Sequence, residues 1–152
     1  MRELTIGVDV VDVREVEASL AVFGERYVSR LYTPAEAAYA REAPAQTARR
    51  LGARFAAKEA TIKALRASEA GIDPRAIEVV RGADGACELV LAGSALAAAE
   101  RVGVRSLALS LTHQGDIAAA VVVGERTRDG IRHASRRPPT ARRPSSRAAR
   151  DK

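Results

Sequence analysis

The sequence predicts one α+β domain of about 125 residues followed by a basic tail. Three observations carry that reading. β-branched runs open and close the body, with a further short pair between helical stretches. Several intervening segments repeat apolar residues at three- and four-residue spacing. Beyond Glu125 the aliphatic residues give way to Arg, Pro and Ser, a composition that cannot build a core and predicts disorder.

Each element has its own signal. Thr5–Val13, TIGVDVVDV, is too continuously apolar for a half-exposed edge and predicts a buried strand with Asp9 as a polar intrusion. From Arg14 the spacing turns helical through Val16, Leu20 and Phe23, and Gly24 ends that helix. A second short helix fits Tyr27–Tyr32. Thr33-Pro34-Ala35-Glu36 supplies an N-cap, a proline at the first helical position and a glutamate at the third, a capping box that opens another helix. Ala48–Ser68 is the longest helical segment, with Leu51, Phe55, Ile62 and Leu65 on one stripe and Gly71-Ile72-Asp73-Pro74 beyond its end. Ile77–Arg81 and Glu88–Leu91 flank Ala83-Asp84-Gly85 as a hairpin. Ser94–Val102 is an alanine-rich helix with Ser94 as its expected N-cap. Leu107–Leu111 and Ile117–Val123 are strands joined through Thr112–Asp116.

Charge is distributed unevenly. The whole chain has 25 Lys+Arg against 19 Asp+Glu, a formal +6. Residues 126–152 hold ten basic and two acidic groups, so the tail carries +8 and residues 1–125 carry −2. The polyanion-binding character of the average therefore belongs to the tail. Two Phe, three Tyr and no Trp are too few for a stacking platform, which argues against single-stranded nucleic acid as a partner. Cys87 stands alone, excluding an internal disulfide or thiolate metal cage. No apolar run approaches the roughly 18 residues of a membrane span, so no membrane partner is expected and a cytoplasmic location is.

Candidate chemistry sits in three places. Asp9 lies between Val8 and Val10, and a carboxylate there must be paired, protonated or bound to a cation. Pairing with a neighbouring backbone or Arg is the plainer explanation. Glu59 and Lys63 are four apart on the long helix and share a face, where a solvated ion pair is the ordinary outcome. The chain has 22 arginines and three lysines, however, and two of those, Lys58 and Lys63, fall in this helix. His113 follows the apolar run Leu107–Leu111 and by itself reads as a hydrogen-bonded turn residue. Taken together, Asp9 and Glu59 offer two hard oxygen ligands, Lys63 a phosphate-binding cation and His113 a candidate base. So few carboxylates suit Mg²⁺ that keeps waters and takes substrate phosphate oxygens. No GxxxxGK[ST] loop is present.

Three segments together resemble the holo-acyl-carrier-protein synthases, the short single-domain 4′-phosphopantetheinyl transferases. Gly7-Val8-Asp9-Val10-Val11-Asp12-Val13 resembles that family's opening GIDIVEI. Arg54-Phe55-Ala56-Ala57-Lys58-Glu59-Ala60 with Lys63-Ala64-Leu65 is similar, almost letter for letter, to its RFAAKEA…KAL helix. Ser110-Leu111-Thr112-His113 and Ala118-Ala119-Ala120-Val121-Val122 resemble its closing strand pair. The resemblance covers roughly residues 5–124 and implies a small antiparallel sheet packed by helices, in a cytoplasmic homotrimer with sites between chains. It implies phosphopantetheine transfer from coenzyme A to a serine of an apo acyl carrier protein. In that scheme Asp9 and Glu59 hold Mg²⁺, Lys63 neutralises phosphoryl charge and serves catalysis with Glu59, and His113 lies near the nucleotide or the incoming serine. Arg54 is implied as a nucleotide-phosphate contact.

Two positions depart from the pattern. Family members usually have Arg where this chain has Glu15, with Arg14 one residue early, and a one-residue offset turns a side chain about 100° around a helix. Some members also have Asp where this chain has Gln114. Both changes put the usual carrier contact and proton relay in question while leaving Asp9, Glu59 and Lys63 intact. Two other functions stay open from sequence: an inactive relative that binds coenzyme A or a carrier, and a module that uses its tail to hold a polyanion.

Overall fold

The computed structural model describes residues 2–127. The tail from residue 128, expected to be disordered, lies outside the described residues. The order is β1 (Arg2–Asp12), α1 (Val13–Phe23), α2 (Glu25–Leu31), α3 (Pro34–Arg41), α4 (Thr47–Ala64), β2 (Ile77–Arg81), β3 (Cys87–Leu91), α5 (Gly93–Val102), β4 (Val104–Gln114) and β5 (Ile117–Thr127). Single 3₁₀ turns precede α4 and β2. The α+β class holds.

The main sheet is antiparallel in the order β1-β5-β4, and β2-β3 form a separate hairpin. β1 pairs with β5, so the first and last strands of the described residues lie side by side. α4 lies across one face of the sheet. Its alanines Ala56, Ala57, Ala60 and Ala64 are at most 1 % exposed, and their small side chains let the helix axis approach the strands closely. Leu51, Val16, Val28 and Tyr32 complete this core from α1, α2 and α4's first turns, and Leu65 with Ala98 and Ala99 forms a smaller cluster beneath α5.

Local signals explain the helix ends. Asp12 caps α1 by accepting from the Arg14 backbone N–H at 3.0 Å. Gly24 sits at φ +52°, a left-handed value that lets α1 stop and α2 start within one residue. The Thr33 box is complete: Thr33 accepts from the Glu36 backbone and Glu36 accepts from the Thr33 backbone at 2.9 Å.

Several expectations need correction. β1 is an edge strand, and Leu4, Ile6, Val8 and Val10 are between 49 % and 64 % exposed, because among the described residues nothing covers the outer face of the sheet. It also ends at Asp12, since that side chain turns the chain into α1. Ser94 does not cap α5. The helix starts one residue earlier, after Ala92, and the Ser94 hydroxyl accepts from the Asp73 backbone instead. α4 stops at Ala64 rather than Ser68, where Arg66 takes a positive φ. β4 and β5 pair for longer than their apolar runs suggest, and β5 carries Arg126 and Thr127 into the sheet. The buried Arg126 bonds Glu3 at 2.7 Å. The folded body therefore extends past the composition break at Glu125.

Candidate active site

Alternation along β1 directs Thr5, Gly7, Asp9 and Val11 toward α4. α4 answers with Glu59 and Lys63, one turn apart on the edge that borders β1. Lys63 Nζ lies 2.8 Å from Asp9 Oδ1 and donates to the Val8 carbonyl at 3.0 Å. The Asp9 side chain is 16 % exposed and that of Lys63 47 %, so the carboxylate is sunk and the ammonium stands at the rim. Glu59 completes the group. Burial holds its carboxyl above the usual range, the nearby Asp9 charge adds to this, and Lys63 opposes both.

A second carboxylate beside Glu59 makes a cation between the two favourable. Among the described residues no cluster of three ligating side chains exists. Asp9 and Glu59 are hard oxygen donors, and a divalent ion held by two carboxylates would take its remaining ligands from water or substrate oxygen.

His113 lies near the end of β4, paired with Ala118 of β5, which in turn pairs with Val11 of β1. It therefore shares the sheet face of Asp9 but stands two strands away, exposed and without a side-chain hydrogen bond among the described residues. It is a strand residue rather than a bonded turn residue. Arg54 goes elsewhere. Nine residues along a helix is about half a turn around, which puts Arg54 opposite Lys63. It is buried, its guanidinium stacks on Tyr39 at 4.0 Å and donates to the Arg50 carbonyl, and its Nε has no partner.

The two helical lysines separate cleanly. Lys63 joins Asp9, while Lys58 is fully buried, 2.8 Å from Glu36 Oε2, and donates to the Pro74 and Ile77 carbonyls. Burial pulls the Lys58 ammonium below its usual range, and the Glu36 carboxylate resists that shift. The sequence reading took Glu36 only as a cap. Its second oxygen accepts from the Val79 backbone N–H at 2.9 Å, a contact that local sequence does not reveal.

At the departures, Arg14 is held by the chain's own acids, 2.7 Å from Asp12 and 3.8 Å from Asp116. Glu15 is exposed in the first turn of α1, and Gln114 is the exposed last residue of β4.

The 4′-phosphopantetheinyl transferase superfamily model matches residues 5–122, a span that contains Asp9, Glu59, Lys63 and His113. A relative from Anaeromyxobacter dehalogenans strain 2CP-1, named holo-acyl-carrier-protein synthase, is 45 % identical over 127 residues, covering 82 % of this chain and 97 % of its own. A protein of the same name from Frankia casuarinae is 44 % identical over 125 residues, covering 82 % and 99 %. Among solved structures, the ACPS–CoA complex of Chronobacterium ammoniagenes superposes with a TM-score of 0.72 at 30 % identity, over 83 % of this chain and 99 % of that one. The acyl carrier protein synthase of Mycobacterium tuberculosis gives 0.60 at 35 % identity, over 81 % and 97 %. With the matched span enclosing the β1–α4 cluster, this chain belongs to the 4′-phosphopantetheinyl transferase superfamily.

Proposed function

We propose that the chain is a holo-acyl-carrier-protein synthase, moving 4′-phosphopantetheine from coenzyme A to a serine hydroxyl of an apo carrier protein. The Asp9–Glu59–Lys63 cluster carries this reading, and relatives of that name and a coenzyme A complex of the same fold support it. In the reaction the serine Oγ attacks the β-phosphorus of coenzyme A. The bond from that phosphorus to the bridging oxygen breaks, 3′,5′-ADP leaves, and the serine proton passes to a base.

Asp9 and Glu59 would hold Mg²⁺, which when bound screens the diphosphate charge. Lys63 stands at the rim with Nζ able to leave Asp9 for a non-bridging phosphoryl oxygen, placing positive charge where negative charge develops. Glu59 and Asp9 thereby orient the coenzyme for in-line attack, and the catalysis is mainly positioning and electrostatics. His113 is assigned to the nucleotide or the incoming serine. Its free imidazole and its placement on the Asp9 face support that role. Arg54 is buried against Tyr39, so a contact with a nucleotide phosphate would require its guanidinium to leave that ring.

The active assembly is read as a homotrimer. Leu4, Ile6, Val8 and Val10 form an exposed apolar row, continued by Val121 on β5. Such a contiguous apolar strip on a sheet face is the kind of surface that another chain covers. A cytoplasmic location goes with the reading, and no described helix is long and apolar enough to cross a membrane. The test is product release. Chromatography should detect 3′,5′-ADP only when coenzyme A, Mg²⁺ and an apo carrier are all present. Release without a carrier would point to a hydrolase instead.

A further inference from the structure

We infer that Gly7 and Thr5 are positioning residues that set the spacing of the Asp9 and Glu59 carboxylates, an inference that rests on the metal-holding role proposed above. The seam between β1 and α4 shows why. A Cβ built on Gly7 would lie 1.8 Å from the Ala60 carbonyl oxygen and 2.7 Å from the Ala64 nitrogen. Both are backbone atoms that cannot swing aside. Gly7 does not adopt a positive φ, so glycine serves here to remove volume, and the strand backbone rests directly on the helix backbone.

Thr5 fixes the same seam one alternation earlier. The last four carbonyls of a helix lack intrahelical partners. In α4 three of them are met locally: Thr61 by the Leu65 N–H, Ile62 by the Ala67 N–H and Lys63 by the Arg66 N–H. The fourth, Ala64, accepts from the Thr5 hydroxyl at 2.6 Å in a buried bond from β1. That hydrogen bond ties the strand to the turn that carries Lys63.

The contacts interleave with the site. Glu59 precedes Ala60, Lys63 precedes Ala64, and Asp9 is the next inward residue after Gly7. Any lift of β1 at Gly7 therefore carries Asp9 away from both Glu59 and Lys63. Octahedral Mg²⁺ requires oxygens at about 2.1 Å and tolerates little error, so a modest separation affects metal binding before it affects the fold.

The test uses Thr5→Val, Thr5→Ser and Gly7→Ala in the full chain. Each is titrated with Mn²⁺ in the presence of coenzyme A, with free Mn²⁺ read by electron paramagnetic resonance. Coenzyme A binding in EDTA and the melting temperature are measured alongside. Thr5→Val and Gly7→Ala should bind Mn²⁺ at least tenfold more weakly, with metal-free coenzyme A affinity within twofold of the parent. Thr5→Ser, which keeps the hydroxyl, should restore parental Mn²⁺ affinity. A folded Thr5→Val with parental Mn²⁺ affinity overturns the inference, and that comparison decides alone if Gly7→Ala does not fold. A parent protein that binds no Mn²⁺ with coenzyme A present overturns the metal reading itself.

Discussion

At Glu59 burial and the Asp9 charge act in the same direction, and Lys63 only partly offsets them. Because the fold raises this pKa, ionised Glu59 subtracts stability at neutral pH. The loss fades as pH falls through the raised pKa toward the ordinary carboxylate range. Glu59→Gln should therefore raise the melting temperature by a few degrees near pH 7, and the gain should shrink in acid, while transfer is lost. Calorimetry over a pH series checks this. Lys63→Met should lower turnover by roughly 100-fold or more, as expected when a charge-stabilising group is removed, with little change in metal-free coenzyme A affinity. A turnover assay paired with equilibrium binding separates the two effects. Asp9, Glu59 and Lys63 were legible in the sequence because charge stood where apolar residues or arginine were the rule. Gly7 and Thr5 were less legible. Their meaning depends on the α4 backbone, which is more than fifty residues away and visible only after packing.

Among the elements, α4 does most to organise the site, since it has working side chains on opposite edges. Glu59 and Lys63 border β1, while Lys58 is locked to Glu36 of α3 and to carbonyls just before and at the start of β2. Removing one partner of a buried ion pair leaves an uncompensated charge and costs about 3–5 kcal/mol. Lys58→Met should thus destabilise the protein by about that much in urea melts. A double-mutant cycle with Glu36→Gln should show coupling above about 1 kcal/mol. Helix starts were readable where a side chain does the capping, as at Thr33. They were misread where a tertiary contact took the same side chain, as when Asp73 claimed the Ser94 hydroxyl. Strand lengths were underestimated because Arg126 and Thr127 pair by register with β1, a constraint that composition does not express.

For the whole molecule, the sheet face that α4 leaves open is the strongest sign of assembly. The unbroken apolar run of β1 suggested burial on both faces, and the described residues cover only one of them. Ile6→Lys should therefore turn a trimer into monomers by light scattering and depress turnover without unfolding the body. A parent protein that already runs as a monomer would refute the trimer. Since β5 extends through Thr127, deletion of residues 128–152 should leave turnover on a free carrier unchanged, and a collapse of activity in a folded truncation would place carrier recognition in the basic segment. The most direct measurement mixes the protein with coenzyme A, Mg²⁺ and a panel of apo carrier proteins and reads each carrier by intact mass spectrometry. The account predicts a phosphopantetheine adduct on a carrier serine that vanishes with Glu59→Ala. Coenzyme A binding with every carrier left unmodified would contradict it.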